Sequence, residues 1–408
     1  MIWKPALQAA LCLVFCFYGV AAAGGTPELG GYFKNFDAVY RFPGSEPGAS
    51  GEFFGLASGR FRVNLTWRAA PWLSAGVAYD LAPRLESRAL LPGFLPSLEA
   101  ARRGYRLTDF RPRLDSGGGG NFALFHNLDR AYLEVRLPAG DLTFGRQAIA
   151  FGSGRFVNPT DLLAPFAYGE LDVEDRVGVD AVRFRVPLGK LGELDSGYVL
   201  GRDARWSSSA AFIRGRGNWR RTDGAAVLLA FREHMLLGVD LARPLGGAGW
   251  WLEAAQVLVG AAGGRREPEQ DYFRAVTGVD YTLGDSTYLF VEYHFSDAGS
   301  AQPARYIRQF SRASFQDGAV YFLARHYLGA GFSRQVTPLV TVDARLLVNL
   351  NDGSLFLAPG VDYNVVENLY LGGGAYIGVG RGPRETQLFR SEFGAWPDFG
   401  YFSVRWYY

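Results

Sequence analysis

Arginine is the residue through which this chain could do most of its chemistry. Of 42 lysines and arginines only Lys4, Lys34 and Lys190 are lysine, which leaves 39 arginines. A guanidinium stays charged and offers a planar fork of donors to carboxylates or phosphates. Arg60, Arg62, Arg68, Arg130, Arg136, Arg146, Arg183, Arg185, Arg274, Arg345 and Arg405 are the candidates for a water-filled interior, with Glu134, Asp180, Glu253, Glu292, Asp343 and Asp362 as carboxylate partners. Two uses stay open: cross-strand pairing into a rigid hydrated wall, or rings of arginine that favour anions and zwitterions. A formal net charge of only +2 argues against strong selectivity and gives no support for nucleic-acid binding.

Catalytic patterns are weak. His126, His234, His294 and His326 are scattered, and no HExxH, GxSxG or phosphate-loop motif occurs. Glu292 and His294 share a polar strand face, which reads as two wall residues rather than a dyad. The acidic run Asp161, Glu170, Asp172, Glu174 and Asp175 has calcium-type ligands, but a solvated loop is the simpler reading. Both cysteines, Cys12 and Cys16, lie near the start, so the rest of the chain has no thiol chemistry and no CxxCH haem attachment. The expectation is no enzyme, no cofactor and no metal.

What must position the arginines is a wall of strands. Successive side chains of a strand face opposite sides, so a wall between lipid and water reads apolar and polar in turn. Between Arg60 and Ala69, Phe61, Val63, Leu65 and Trp67 alternate with Arg60, Arg62, Asn64, Thr66 and Arg68. Ala131, Leu133, Val135 and Leu137 alternate with Arg130, Tyr132, Glu134 and Arg136, and Val340, Val342, Ala344 and Leu346 with Thr341, Asp343 and Arg345. Tyr272–Leu283 and Thr287–Phe295, joined through Gly284-Asp285, form a hairpin with Arg274, Asp280, Glu292 and His294 on its polar face. A soluble β-sandwich also alternates, but strands of about ten residues match a tilted membrane crossing better than a globular sheet. The 53 glycines, 15% aromatic content and 20% charged content fit many strands, tight turns and aromatic girdles.

The start reads as an export signal: Lys4, the apolar Leu7–Val20 and the small residues Ala21-Ala22-Ala23, with cleavage after Ala23. Residues 1–23 are therefore a signal peptide and 24–408 one transmembrane antiparallel up-and-down β-barrel of about 18 strands. Short connectors such as Pro138 to Asp141 fall on the periplasmic side. The long ones, Phe42–Ser58, Ala82–Asn127, Gly152–Asp175, Asp297–Asp317 and Arg381–Pro397, fall outside. Alternation blurs between Asp195 and Phe231. Arg146 shares parity with Leu142 and Phe144, and an arginine on mid-bilayer lipid costs about 2–4 kcal/mol. A one-residue bulge near Gly145-Arg146 is therefore expected, turning Arg146 to the lumen and Ile149 and Phe151 to lipid. Asn158 is expected to cap a short helix opened by Pro159 and to tuck this loop into the mouth, with Ser97 capping another in the Pro96–Arg103 stretch.

Two stretches carry a resemblance. Phe402, Val404, Trp406 and Tyr408 at alternate positions resemble the C-terminal assembly signal of bacterial outer-membrane barrels, which implies recognition by the barrel assembly machinery. Gly145-Arg146-Gln147 through Gly152-Ser153-Gly154-Arg155 to Asn158-Pro159-Thr160-Asp161 resembles a strand-to-loop pattern of porin-like outer-membrane proteins of Gram-negative bacteria. The GRQ strand is also similar to alginate-export barrels. These imply outer-membrane lipid as the surroundings and passage of small hydrophilic solutes as the activity. The alternatives are a sheath for a separate multihaem cytochrome and an export channel for an acidic polysaccharide. Monomer and trimer both stay open.

Overall fold

A strand that separates two environments must alternate its side chains, and the computed structural model does this eighteen times round a closed cylinder. The structure describes residues 25–43, 53–87, 105–108, 121–165, 171–264, 270–384 and 387–408. The expected signal peptide, the Ser97 helix and most of the 44–52 and 88–120 connectors lie outside these.

The strands are β1 (Glu28–Arg41), β2 (Phe53–Ala70), β3 (Leu73–Glu86), β4 (Phe122–Leu137), β5 (Gly140–Gln147), β6 (Val179–Leu188), β7 (Gly192–Leu200), β8 (Ala210–Trp219) and β9 (Thr222–Phe231). The second half comprises β10 (His234–Leu245), β11 (Ala248–Leu258), β12 (Tyr272–Leu283), β13 (Thr287–Ser296), β14 (His326–Thr337), β15 (Val340–Asn349), β16 (Leu355–Val366), β17 (Leu369–Val379) and β18 (Asp398–Tyr407). Each pairs antiparallel with its sequence neighbours, and β1 pairs with β18 as well as β2, with Tyr32 opposite Tyr407. No open edge strand remains, because each strand pairs on both sides.

One end of the cylinder has connectors of two or three residues, among them Pro71-Trp72, Pro138-Ala139 and Gly246-Gly247. The other carries the long ones, 87–121, 148–178, 297–325 and 380–397, with the two-residue Arg232-Glu233 as an exception. β2 and β3 run further toward this end than the alternation suggested, β2 starting at Phe53 and β3 ending at Glu86. The outward rows are apolar and exposed, as at Phe61, Leu133, Phe144, Val182, Val291 and Phe402.

The interior differs from a simple polar lumen. In the long-loop half the inward faces of β6 to β11 carry Val179, Val199, Phe212, Leu229, Leu236 and Val257. The loop residues Tyr105, Ile149, Phe151, Leu162, Leu163 and Val320 bury against them. A second cluster joins inward Tyr327, Leu347 and Phe356 to Tyr306, Phe322, Leu323 and Phe393 of the loops. Ile149 and Phe151, expected against lipid, are thus 0% and 4% exposed inside the barrel. The expected bulge is also displaced. β5 keeps its register through Gly145-Arg146, and the shift falls one strand away, where Ala78 faces Arg130 and Tyr79 faces Leu128, leaving Asp129 as the extra residue. Gly145, at φ +103°, bends the chain there; a Cβ would meet the Ala131 carbonyl oxygen at 2.3 Å.

Candidate functional site

Residues 148–165 and 171–178 of the connector between β5 and β6 fold into the barrel, and two sets of inward carboxylates and cations hold them. On β11, Glu253 accepts from the Ser153 amide (3.1 Å), the Gly154 amide (3.3 Å), the Thr160 amide (2.7 Å) and the Thr160 hydroxyl (2.7 Å). On β13, Glu292 accepts from the amides of Arg155 (2.7 Å) and Phe156 (3.1 Å) and from the Trp251 indole (2.9 Å). Both are fully buried, so these charge-assisted bonds replace their water and satisfy loop amides that have no ladder partner. Gly152, at φ +95°, brings the loop so close that a Cβ would lie 2.6 Å from the Glu253 carboxylate. Arg155 reaches Asp280 (2.9 Å), and Arg274 donates to the carbonyls of Pro159 (2.9 Å) and Gly318 (3.0 Å), tying this loop to the 297–325 connector. Asn158 and Pro159 form a turn, the Asp161 amide donating to the Asn158 carbonyl at 3.1 Å, rather than the expected helix.

Across the barrel the same connector returns along β18, β1 and β2. Asp172 meets Lys34 (2.9 Å) and Arg60 (2.9 Å); Glu174 meets Lys34 (2.6 Å) and the Tyr407 hydroxyl (2.8 Å); Asp175 accepts from the Tyr32 hydroxyl (2.5 Å). Beneath them Arg60 pairs with Asp80 (3.0 Å), and Arg62 with Asp80 (3.2 Å) and Asp129 (2.9 Å). Arg130 donates to Asp129 and to the Arg176 carbonyl, both at 2.5 Å. Burial raises the Asp172 pKa, but Lys34 and Arg60 outweigh it and hold the carboxyl below its usual range. Asp161, sealed in the loop, is pushed up to about 6 by burial despite the Arg176 guanidinium 2.8 Å away. The acidic run read as a solvated loop is therefore a set of internal ion-pair partners; Glu170 lies outside the described residues.

The remaining candidates separate by depth. Arg146 is closed in by Asp180 (2.7 Å) and by the carbonyls of Leu128 and Thr108, and Asp180 also accepts from the Leu107 amide (2.9 Å). Arg183 grips Asp195 with two bonds of 2.8 and 2.7 Å, Arg185 meets Glu134 (3.0 Å), and Arg405 contacts Asp362. Arg68, Arg136 and Arg345 are exposed on inward parity, with Arg136 3.5 Å from Asp141. Asp343 is half-buried on the same face as Arg345. Glu292 and His294 do not form a dyad: Glu292 holds the loop, and buried His294 packs edge-on against Phe322 and Tyr327. At the closing strand Phe402, Trp406 and Tyr408 are exposed outward with Val404 between them. The Tyr408 amide donates to the Gly31 carbonyl, and its hydroxyl to that of Arg62.

A third buried carboxylate, Glu392 in the 380–397 connector, accepts from the Leu323 amide (2.9 Å), Asn349 Nδ2 (2.8 Å) and the Tyr327 hydroxyl. Its own amide donates to Asp352 (2.8 Å), and burial pushes its pKa up to about 7. Sequence reading did not single out Glu392, Lys34 or Asp129. Lys34 is one of only three lysines in the sequence, with Lys4 and Lys190, which was the available signal. Between the two inserted loops lies a cavity of about 100 Å³ lined by Arg155, Asn158, Asp161, Arg176, Ala319 and Tyr321 among others.

No protein-family model and no curated protein matches the sequence. Solved structures do match in fold. The outer membrane protein OprD from Pseudomonas aeruginosa aligns over 95% of each chain with 10% identity and a TM-score of 0.56. OccK2 (OpdF) from the same organism, solved with glucuronate, aligns over 93% of this chain and 97% of its own, with 12% identity and a TM-score of 0.59. OccAB2 from Acinetobacter baumannii aligns over 94% and 98%, with 8% identity and a TM-score of 0.59. The chain shares their barrel architecture over nearly its whole length.

Proposed function

We propose that the protein is an outer-membrane channel of a Gram-negative bacterium for small hydrophilic solutes, exported by residues 1–23 and assembled through its C-terminal Phe402, Val404, Trp406 and Tyr408. The observation that carries this reading is that residues 148–165 and 171–178 lie inside an eighteen-stranded barrel and are pinned to opposite walls. Such an arrangement narrows a passage without closing the cylinder itself, which supports passage as the activity.

Below the inserted loops, exposed Arg68, Arg136 and Arg345 and the partly exposed pair Arg185–Glu134 offer a solvated lining of both signs. Solutes bearing a carboxylate are favoured by the arginine rows, and a sugar acid of the size of glucuronate, the ligand of the OccK2 structure, is the first to test. The sheath reading is disfavoured because the chain's own Tyr105, Phe151, Leu163, Phe322 and Phe393 occupy the long-loop half where a cytochrome would sit. The same filling disfavours export of a wide polysaccharide.

Liposomes carrying the purified protein test the reading by osmotic swelling. Swelling with monosaccharides and uronates but not with a large dextran is the expected result; no swelling above empty liposomes with any small solute refutes it.

A further inference from the structure

We infer that the acidic segment 171–175 is a displaceable electrostatic strap, which occupies the cationic wall of β1 and β2 and restrains both conductance and anion preference until salt or an anionic solute competes it away. This rests on the channel reading above. Among the described residues, Lys34, Arg60, Arg62 and Arg130 face two wall carboxylates, Asp80 and Asp129. The wall is therefore built with an excess of positive charge. Asp172, Glu174 and Asp175 supply the missing negative charge from a different part of the chain.

The two attachments of the connector differ in kind. The Ser153–Thr160 side is held through backbone amides on buried carboxylates. Residues 171–175 make no backbone–backbone hydrogen bond among the described residues and hold on by side-chain ion pairs and two tyrosine hydroxyls. The strap carboxylates keep solvent contact, Glu174 being 48% exposed, whereas Lys34 and Arg62 beneath are 1% and 3% exposed. Pairs whose carboxylate keeps solvent contact are screened by salt more than pairs sealed on both sides, so the strap yields before the Ser153–Thr160 attachment does. Once lifted, it leaves Lys34 and Arg60 without these carboxylates, a cationic surface that selects anions.

The test compares the full-length wild type with the Asp172→Asn/Glu174→Gln/Asp175→Asn variant in planar bilayers, with heat-modifiable gel migration checking that each is a folded barrel. At low ionic strength the variant is expected to conduct about twofold or more above wild type, its reversal potential shifted toward anions. The gap should close in concentrated salt as the wild-type strap is screened off. As a second arm, Glu174→Cys/Tyr407→Cys joined by a short bis-maleimide should hold conductance low at every salt concentration. Equal conductance and equal selectivity of wild type and charge variant overturn the strap while leaving the channel intact. So does a cross-linked protein that behaves as its unlinked form. If neither wild type nor variant conducts, both the channel reading and the strap fall.

Discussion

Replacing Glu253 with glutamine should loosen the inserted loop far more than its small change in shape suggests. Both carboxylate oxygens act as acceptors, one from the Thr160 amide and hydroxyl and the other from the amides of Ser153 and Gly154. In Glu253→Gln one oxygen becomes an NH2, which sets donor against donor whichever way the amide turns. If the remaining oxygen stays on Thr160, the Ser153 and Gly154 amides lose their partner inside a dry site. Each such loss costs about 1–3 kcal/mol, so docking weakens by about 2–6 kcal/mol. That amounts to between one and four powers of ten in the ratio of docked to undocked loop, at about 1.4 kcal/mol per power. Hydrogen–deuterium exchange on a peptide spanning 149–162 reads the ratio directly, since the affected amides exchange only when the loop lifts. Asp240→Asn serves as the milder comparison, because among the described residues Asp240 holds the loop through the Ser153 hydroxyl alone, at 2.5 Å. Unchanged protection of residues 153–160 in Glu253→Gln would refute the idea that this carboxylate anchors the constriction.

Other consequences can be checked separately. Because burial raises Glu392 to about 7 from an ordinary 4.5, the docked 380–397 connector holds its proton more tightly than the undocked one; docking is strongest below about pH 4.5 and weakens as the pH rises through about 7. Exchange of the 387–396 amides should therefore speed up between pH 5 and 8 after correction for intrinsic rates, and Glu392→Gln should flatten that dependence; a wild type without it would contradict the assignment. A fluorophore on Phe144→Cys should be quenched by spin-labelled lipid and one on Phe151→Cys should not, since Phe144 faces outward and Phe151 lies in the inner cluster. The mature protein purified from membranes should begin at Gly24 by intact-mass measurement, and a mass retaining the first 23 residues would rule out the cleavage.

The wall was legible because its signal is local. Phe61, Val63 and Leu65 against Arg60, Arg62 and Asn64 report a two-sided strand without knowledge of its neighbours, and the hairpin through Gly284-Asp285 carries its own turn signal. Alternation failed between Asp195 and Phe231 for two physical reasons. Phe212, Val227, Leu229 and Phe231 are inward yet apolar because loops cover them, so both faces read alike. The turns at Arg220-Arg221 and Arg232-Glu233 use left-handed φ values of 45° to 73° without glycine or asparagine, so their residue types give no warning.

The site was less legible because its partners are distant in sequence. Nothing near Asp172 indicates Lys34, 138 residues away, and nothing near Glu253 indicates Thr160. Ile149 and Phe151 went to the wrong side for the same reason: an apolar pair past the end of a strand fits lipid or an inner core equally well until the loop's path is known. Arginine identity was informative, but its meaning depended on which guanidiniums are saturated. Arg62 and Arg274 are locked, whereas Arg136 and Arg345 stay solvated.

The most direct measurement is electrical. Purified full-length protein, shown to be a folded barrel by its heat-modifiable migration, is added to a planar lipid bilayer under a fixed voltage. Discrete, equal current steps that accumulate with each insertion are the expected result. A bilayer that takes up the folded barrel and stays silent over a wide range of voltage and salt would contradict it.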